Sequence, residues 1–156
     1  MGAEARFEAW RGGGALRTDV MAREFLERAR SRLLAAEAAM ERGDHPDVVR
    51  FSQECVELSL KACLRAVGIE YPKVHDVSDV LLASEGKFPG WMRSMLPRLA
   101  EISRDLAAKR SPAMYGLETL GRLPSELFDE GDAEEALEGA RLSYEASSRL
   151  IEELFR

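Results

Sequence analysis

The sequence predicts an all-α protein, an antiparallel up-and-down bundle of four long helices plus one short helix. Three observations predict it. Apolar residues recur at steps of three and four, no segment alternates apolar and polar as a strand does, and Gly, Pro or a capping residue closes each periodic segment. No internal repeat interrupts this pattern. A chain of 156 residues is the size of one domain and can bury a core without metal or disulfide help.

Residues 1–17, with Gly12, Gly13 and Gly14 and little periodicity, are expected to form a flexible N-terminal segment ahead of one domain over 18–156. Thr18-Asp19 supplies helix-start chemistry, and Met21, Phe25, Ala29, Leu33, Ala36 and Met40 form the apolar stripe of a first helix that Gly43 ends. Asp44-His45-Pro46 opens the second helix, since Pro is tolerated in a first turn. Over 46–67 the polar residues Arg50, Glu54, Glu57 and Lys61 make one narrow stripe with Gln53 beside it, and nearly every other position is apolar. A helix with so wide an apolar surface is the centre of a bundle or an interface. Gly68 terminates it and Tyr71-Pro72 forces an extended connection.

Asp76 is expected to cap a short third helix carrying Val77, Val80, Leu81 and Leu82, with a Pro89-containing loop over 86–90 after it. A fourth helix over about 92–109 presents Met95, Leu99, Ile102 and Leu106 on one face. Pro97 sits in its first turn or kinks it, and Ser111-Pro112 closes it. Residues 111–131 hold no periodicity and are expected to form a long ordered loop. Asp132 through Glu135 reads as a capping box for the last helix, lined by Leu137, Ala140, Tyr144, Ser148, Ile151 and Phe155.

Charge and composition narrow the partners. A net charge of −6 argues against strong non-specific nucleic-acid binding by the whole surface, though it leaves room for a local basic patch. Most of the 22 cations are arginines, which suit phosphate forks as well as salt bridges. No apolar run approaches the roughly 20 residues that span a bilayer, and the start of the chain lacks a signal-like apolar region. A cytoplasmic protein with no membrane contact is expected. Cys55 and Cys63, eight residues apart on one helix, would lie roughly 12 Å apart and cannot bridge each other. Both read as core residues in a reducing compartment.

Few residues carry chemistry. His45 and His75 are the two histidines, and neither has ligand-type neighbours at metal spacing, so no metal and no cofactor is expected. Gly12-Gly13-Gly14 lacks the strand and the Lys-Ser/Thr of a phosphate loop. The cysteines fall on an apolar surface that disfavours a thiolate. In the stripe on the second helix, Arg50–Glu54 and Glu57–Lys61 fit ion pairs of a solvated face. The alternative is a polar cleft in which Lys61 meets a phosphate. Lys109-Arg110, at the end of the fourth helix, either opposes the helix dipole or combines with Tyr115 to grip a phosphate and stack on a base.

The run Gln53-Glu54-Cys55-Val56-Glu57-Leu58-Ser59-Leu60-Lys61-Ala62-Cys63-Leu64, then Gly68, Pro72 and His75-Asp76 before a leucine-rich short helix, resembles the HEPN domain. The fourth helix ending Arg-Ser-Pro-Ala-x-Tyr and a final helix beginning Asp-Ala-Glu-Glu-Ala-Leu follow in the same order, so the resemblance covers about 18–155. It implies a helical bundle that pairs as a homodimer and deals with nucleotides or RNA. It also implies a minimal nucleotidyltransferase as partner protein, in a two-gene toxin–antitoxin module. Other HEPN members are metal-independent ribonucleases with an Arg, four to six residues, then a His, the two subunits' motifs converging in the dimer cleft. Here Arg110 is followed by four residues and Tyr115, and no histidine comes after it. A tyrosine with a pKa near 10 substitutes poorly for an imidazole that titrates near neutrality. The resemblance therefore implies a non-catalytic nucleotide- or RNA-binding protein. Lys61 and Arg110 would contact phosphate, Glu57 would orient Lys61, and Tyr115 would stack. The alternatives are a ribonuclease using Arg110 with Tyr115 or His75, and a purely structural dimeric adaptor.

Overall fold

The second helix is the one on which the rest is built. In the computed structural model, which describes residues 18–156, it runs His45–Ala66 and packs against all three other long helices. We label the helices α1 (Thr18–Glu41), α2 (His45–Ala66), α3 (Ser78–Ala83), α4 (Gly90–Arg93), α5 (Leu96–Tyr115), α6 (Pro124–Leu127) and α7 (Glu130–Leu154), with 3₁₀ turns at Glu85–Lys87 and Glu118–Leu120. The four long helices have 24, 22, 20 and 25 residues. The expected flexible segment over 1–17 lies outside the described residues.

The position of α2 follows from its composition. Val48, Val49, Cys55, Val56, Leu60, Ala62, Cys63 and Leu64 are all buried, which leaves only a narrow polar row for other purposes. Against it α1 presents Ala22, Ala29, Ala36 and Ala39, small side chains that permit close approach. From α7 come Ala140, Leu150 and Ile151, and from α5 come Leu99, Ile102 and Leu106. Gly68, with φ +81°, ends the α2 region as its sequence suggests.

Three boundaries differ from expectation. The fourth helix does not stop at Ser111-Pro112. Residues 90–93 form the separate α4, Pro97 falls in the first turn of α5, and α5 runs on through Pro112 to Tyr115. Pro112 costs one helical hydrogen bond, yet Ala113 in the same turn is buried, and packing outweighs the local penalty. The true stop is Gly116, at φ +70° and ψ −157°, where a Cβ would overlap the Arg122 carbonyl oxygen. Second, the segment 111–131 is not a long loop: it holds the end of α5, a turn closed by paired backbone bonds between Leu117 and Arg122, and α6. Third, α7 begins a turn early. Its capping box is Asp129–Asp132, where Asp132 N–H donates to Asp129 Oδ1 and Asp129 N–H to Asp132 Oδ2, both at 2.9 Å.

Candidate functional site

Gln53, Glu57 and Lys61 recur every four residues and so share one side of α2. Together they form the middle of a hydrogen-bonded chain that reaches the surface at both ends. Arg110 Nη1 on α5 donates to Gln53 Oε1 at 2.6 Å, and Gln53 Nε2 donates to Glu57 Oε1 at 2.9 Å. Lys61 Nζ donates to Glu57 Oε2 at 2.8 Å, and His75 Nδ1 stands 2.8 Å from Glu57 Oε1. Burial opposes ionisation of Glu57, but the bonds from Lys61, Gln53 and His75 prevail and hold its carboxyl below the usual range. The carboxylate is therefore charged at neutral pH.

The segment that brings His75 here is itself fixed. Asp76 Oδ1 accepts from Ser78 N–H and from Ser103 Oγ–H, each at 2.9 Å, and Val77 N–H donates to Ser103 Oγ at 3.1 Å. Burial again opposes ionisation, and the bonds from Ser78 and Ser103 overcome it, so the Asp76 carboxyl also lies below its ordinary value. Asp76 thus ties the connection after α2 to α5, as well as serving the start of α3.

Beside this chain lies a cleft of about 110 Å³ lined by Arg28, Arg32, Glu54, Glu57, Leu58, His75 and Arg110. Arg32 Nε is 3.6 Å from Glu54 Oε1. The volume is well below the roughly 300–1,000 Å³ of pockets that enclose a whole small molecule. It suits one phosphate group, gripped by guanidinium forks, with the rest of a ligand lying on the surface. A larger groove of about 370 Å³ runs between α5 and α7. Its charged lining residues, Arg98 and Arg104 with Glu101, Asp105 and Glu135, are acidic on balance and form no comparable hydrogen-bonded set. The smaller cleft is the better site.

The residues singled out from sequence divide accordingly. Glu57, Arg110 and His75 meet in the cleft. Lys61 stands behind it: only 10% of its side chain is exposed, and its ammonium is committed to Glu57 and to the face of the Tyr71 ring 5.2 Å away. Tyr115, 59% exposed, lies five residues beyond Arg110 and outside the cleft lining. Of the two ion pairs expected on α2, Glu57–Lys61 forms. Glu54 pairs instead with Arg32 of α1, and Arg50 Nε is buried with no partner among the described residues. Sequence reasoning missed Arg28, Arg32 and the bridging role of Gln53. For the arginines the signal was a four-residue spacing on the polar side of α1, which any solvated helix shares. Cys55 and Cys63 are in the core, where burial pushes both thiols up to about 12. Among the described residues no three His, Cys, Asp or Glu side chains gather as a metal would need, and no helix is long and apolar enough to cross a membrane.

An all-helical bundle with an arginine-lined cleft beside its central helix is the class this architecture defines. Within it, residues 22–150 match the model of the HEPN domain, and the chain belongs to that family. A relative from Methanocaldococcus jannaschii, described as "Putative toxin MJ1304", is 28% identical over 142 residues, covering 86% of this chain and 90% of that one. Two solved structures share the fold. TT1696 from Thermus thermophilus superposes with a TM-score of 0.67 at 24% identity, over 82% of this chain and 96% of its own. ST0689, described as an archaeal HEPN homologue, gives 0.61 at 21% identity, over 83% and 97%.

Proposed function

We propose that this protein binds a nucleotide or an RNA segment by a phosphate in the cleft between α1, α2 and α5. We further propose that it does so as a homodimer, the partner of a minimal nucleotidyltransferase in a cytoplasmic toxin–antitoxin-like pair. The pairing rests on the chain's family and on the similarity to a protein described as a toxin. The binding rests on one observation above the rest: Arg28, Arg32 and Arg110 line a space of phosphate size on a protein whose net charge is negative. A basic site on an acidic surface concentrates an anionic ligand at that point.

In this reading Arg110, held by Gln53, and the two α1 arginines contact the phosphate. Glu57 orients His75 and, with Lys61 neutralising it from behind, keeps the cleft wall rigid. Tyr115, about 7.5 Å further along α5 at 1.5 Å per residue, offers a ring on which a base outside the cleft can stack. Calorimetric titration with ATP, AMP and a short single-stranded RNA tests the reading. Binding is expected to weaken as salt is raised and to fall at least tenfold in Arg110→Ala. No heat with any of the three ligands contradicts it.

A further inference from the structure

The cleft is lined by two carboxylates, and they differ in what they have left to offer. Glu57 is committed: it accepts from Gln53 and Lys61 and faces His75 Nδ1 at 2.8 Å. Glu54, three residues earlier on α2, is not. Its Oε2 is buried and has no partner among the described residues, and its Oε1 lies 3.6 Å from Arg32 Nε, beyond hydrogen-bond length. With only 19% of the side chain exposed, little water replaces the missing bonds. A carboxylate in that position is short of donors.

A phosphate alone makes this worse. Once Arg32 turns its fork to the ligand, Glu54 keeps no cation of its own and gains a second negative group nearby. A ligand with a hydroxyl donor beside its phosphate turns the same carboxylate from a repulsion into an attraction. On a nucleotide the donors nearest a phosphate are the ribose hydroxyls, whereas the amino groups of the bases lie across the sugar. An acidic side chain that reads ribose hydroxyls beside a phosphate grip is a known solution in other nucleotide sites. Rotation about the last side-chain bond of a glutamate is soft, so either oxygen can be presented. Resting on the binding reading above, we infer that Glu54 accepts a hydrogen bond from a ribose hydroxyl of the ligand, so that the cleft selects ribonucleotides or RNA over their deoxy counterparts. The selection is strong because a deoxy ligand loses the bond and also leaves Glu54 unmet beside the phosphate.

The test is calorimetric titration of two matched pairs: AMP against 2′,3′-dideoxy-AMP, and a short single-stranded RNA against its 2′-deoxy copy. EDTA is present throughout, so that no divalent cation occupies the carboxylate. In each pair whose ribose member binds, the wild type is expected to prefer that member by about tenfold or more. Glu54→Ala, checked by its melting temperature, is expected to bring the two members within about twofold of each other. Glu54→Gln, which keeps the shape and one acceptor oxygen, is expected to fall between them. Arg110→Ala weakens both members by the same factor and leaves the preference intact, because it acts on the phosphate. The ratio within a pair is the readout that a merely structural role of Glu54 does not move. A wild type that binds both members equally overturns the inference and leaves the binding reading standing. So does a preference that survives Glu54→Ala, or a Glu54→Ala variant that tightens both members alike, the mark of a side chain that only competes for Arg32. Failure of the wild type to bind any of the four ligands overturns both.

Discussion

The central helix carries two polar rows on nearly opposite sides, two residues and so about 200° apart, and the rows end in different places. Cys55, Ser59 and Cys63 face α7. There Cys63 Sγ–H donates to Ser147 Oγ at 2.9 Å, and Ser147 Oγ–H is directed to the Ser59 carbonyl at 2.9 Å. That row is neutral and closes on itself in the core. Gln53, Glu57 and Lys61 form the other row, which is charged and runs out to Arg110 and His75. Both rows contain buried polar atoms, so burial of polarity does not separate architecture from function. Separation comes from where the chain of bonds terminates.

The contrast can be broken from either side. The largest effect is expected at the closed row. Burial pushes both thiols up to about 12, so next to no thiolate is present at pH 8. Ellman's reagent at pH 8 is therefore expected to find no reactive thiol in the native protein and two after denaturation. Next comes Leu60→Ala in the same core, expected to cost about 2–5 kcal/mol in urea unfolding. RNA or nucleotide affinity, measured where the variant is folded, should stay near wild type.

On the open row, Gln53→Leu strips a partner from both Arg110 and Glu57 and is expected to cost about 1–3 kcal/mol. Unlike Leu60→Ala it should also weaken ligand binding in the folded protein, because Arg110 loses its support. Acid supplies the smallest effect. The folded-state pKa of Glu57 lies below its ordinary 4.5, so its stabilising contribution is complete above that value and is lost as pH falls through the lower, folded value. Asp76 behaves alike from 3.8. The melting temperature is expected to drop as pH is lowered below 4.5, with a shallower drop in Glu57→Gln. Equal slopes would remove Glu57 from the account.

Much of the fold was legible because its periodicity is strong. The apolar breadth of α2 marked it as central, Gly43 marked the end of α1, and Gly68 marked the end of α2 itself. What misled was local chemistry overruled by packing. Pro112 reads as a stop, yet the buried Ala113 carries α5 past it, and the equally spaced Asp129–Asp132 pair caps α7 before Asp132–Glu135 can. The site was half legible. The polar stripe put Glu57 and Lys61 on one side of α2 with Gln53 beside them, and Lys109-Arg110 stood at the expected end of the fourth helix. No spacing in the chain says that His75, 18 residues on, returns to Glu57, or that Arg28 and Arg32 face the same gap. Those contacts are made by the Asp76–Ser103 tie and by the packing of α1, and neither leaves a periodic trace.

Since the protein has two histidines, the imidazole proton resonances give a direct reading of the cleft. Titration with a short single-stranded RNA is expected to shift the His75 signals and leave those of His45 unmoved. Arg110→Ala should reduce the shift at a given ligand concentration. If His45 moves while His75 stays still, or if neither moves at concentrations where salt-sensitive binding is seen, the ligand lies elsewhere and the cleft between α1, α2 and α5 is not the site.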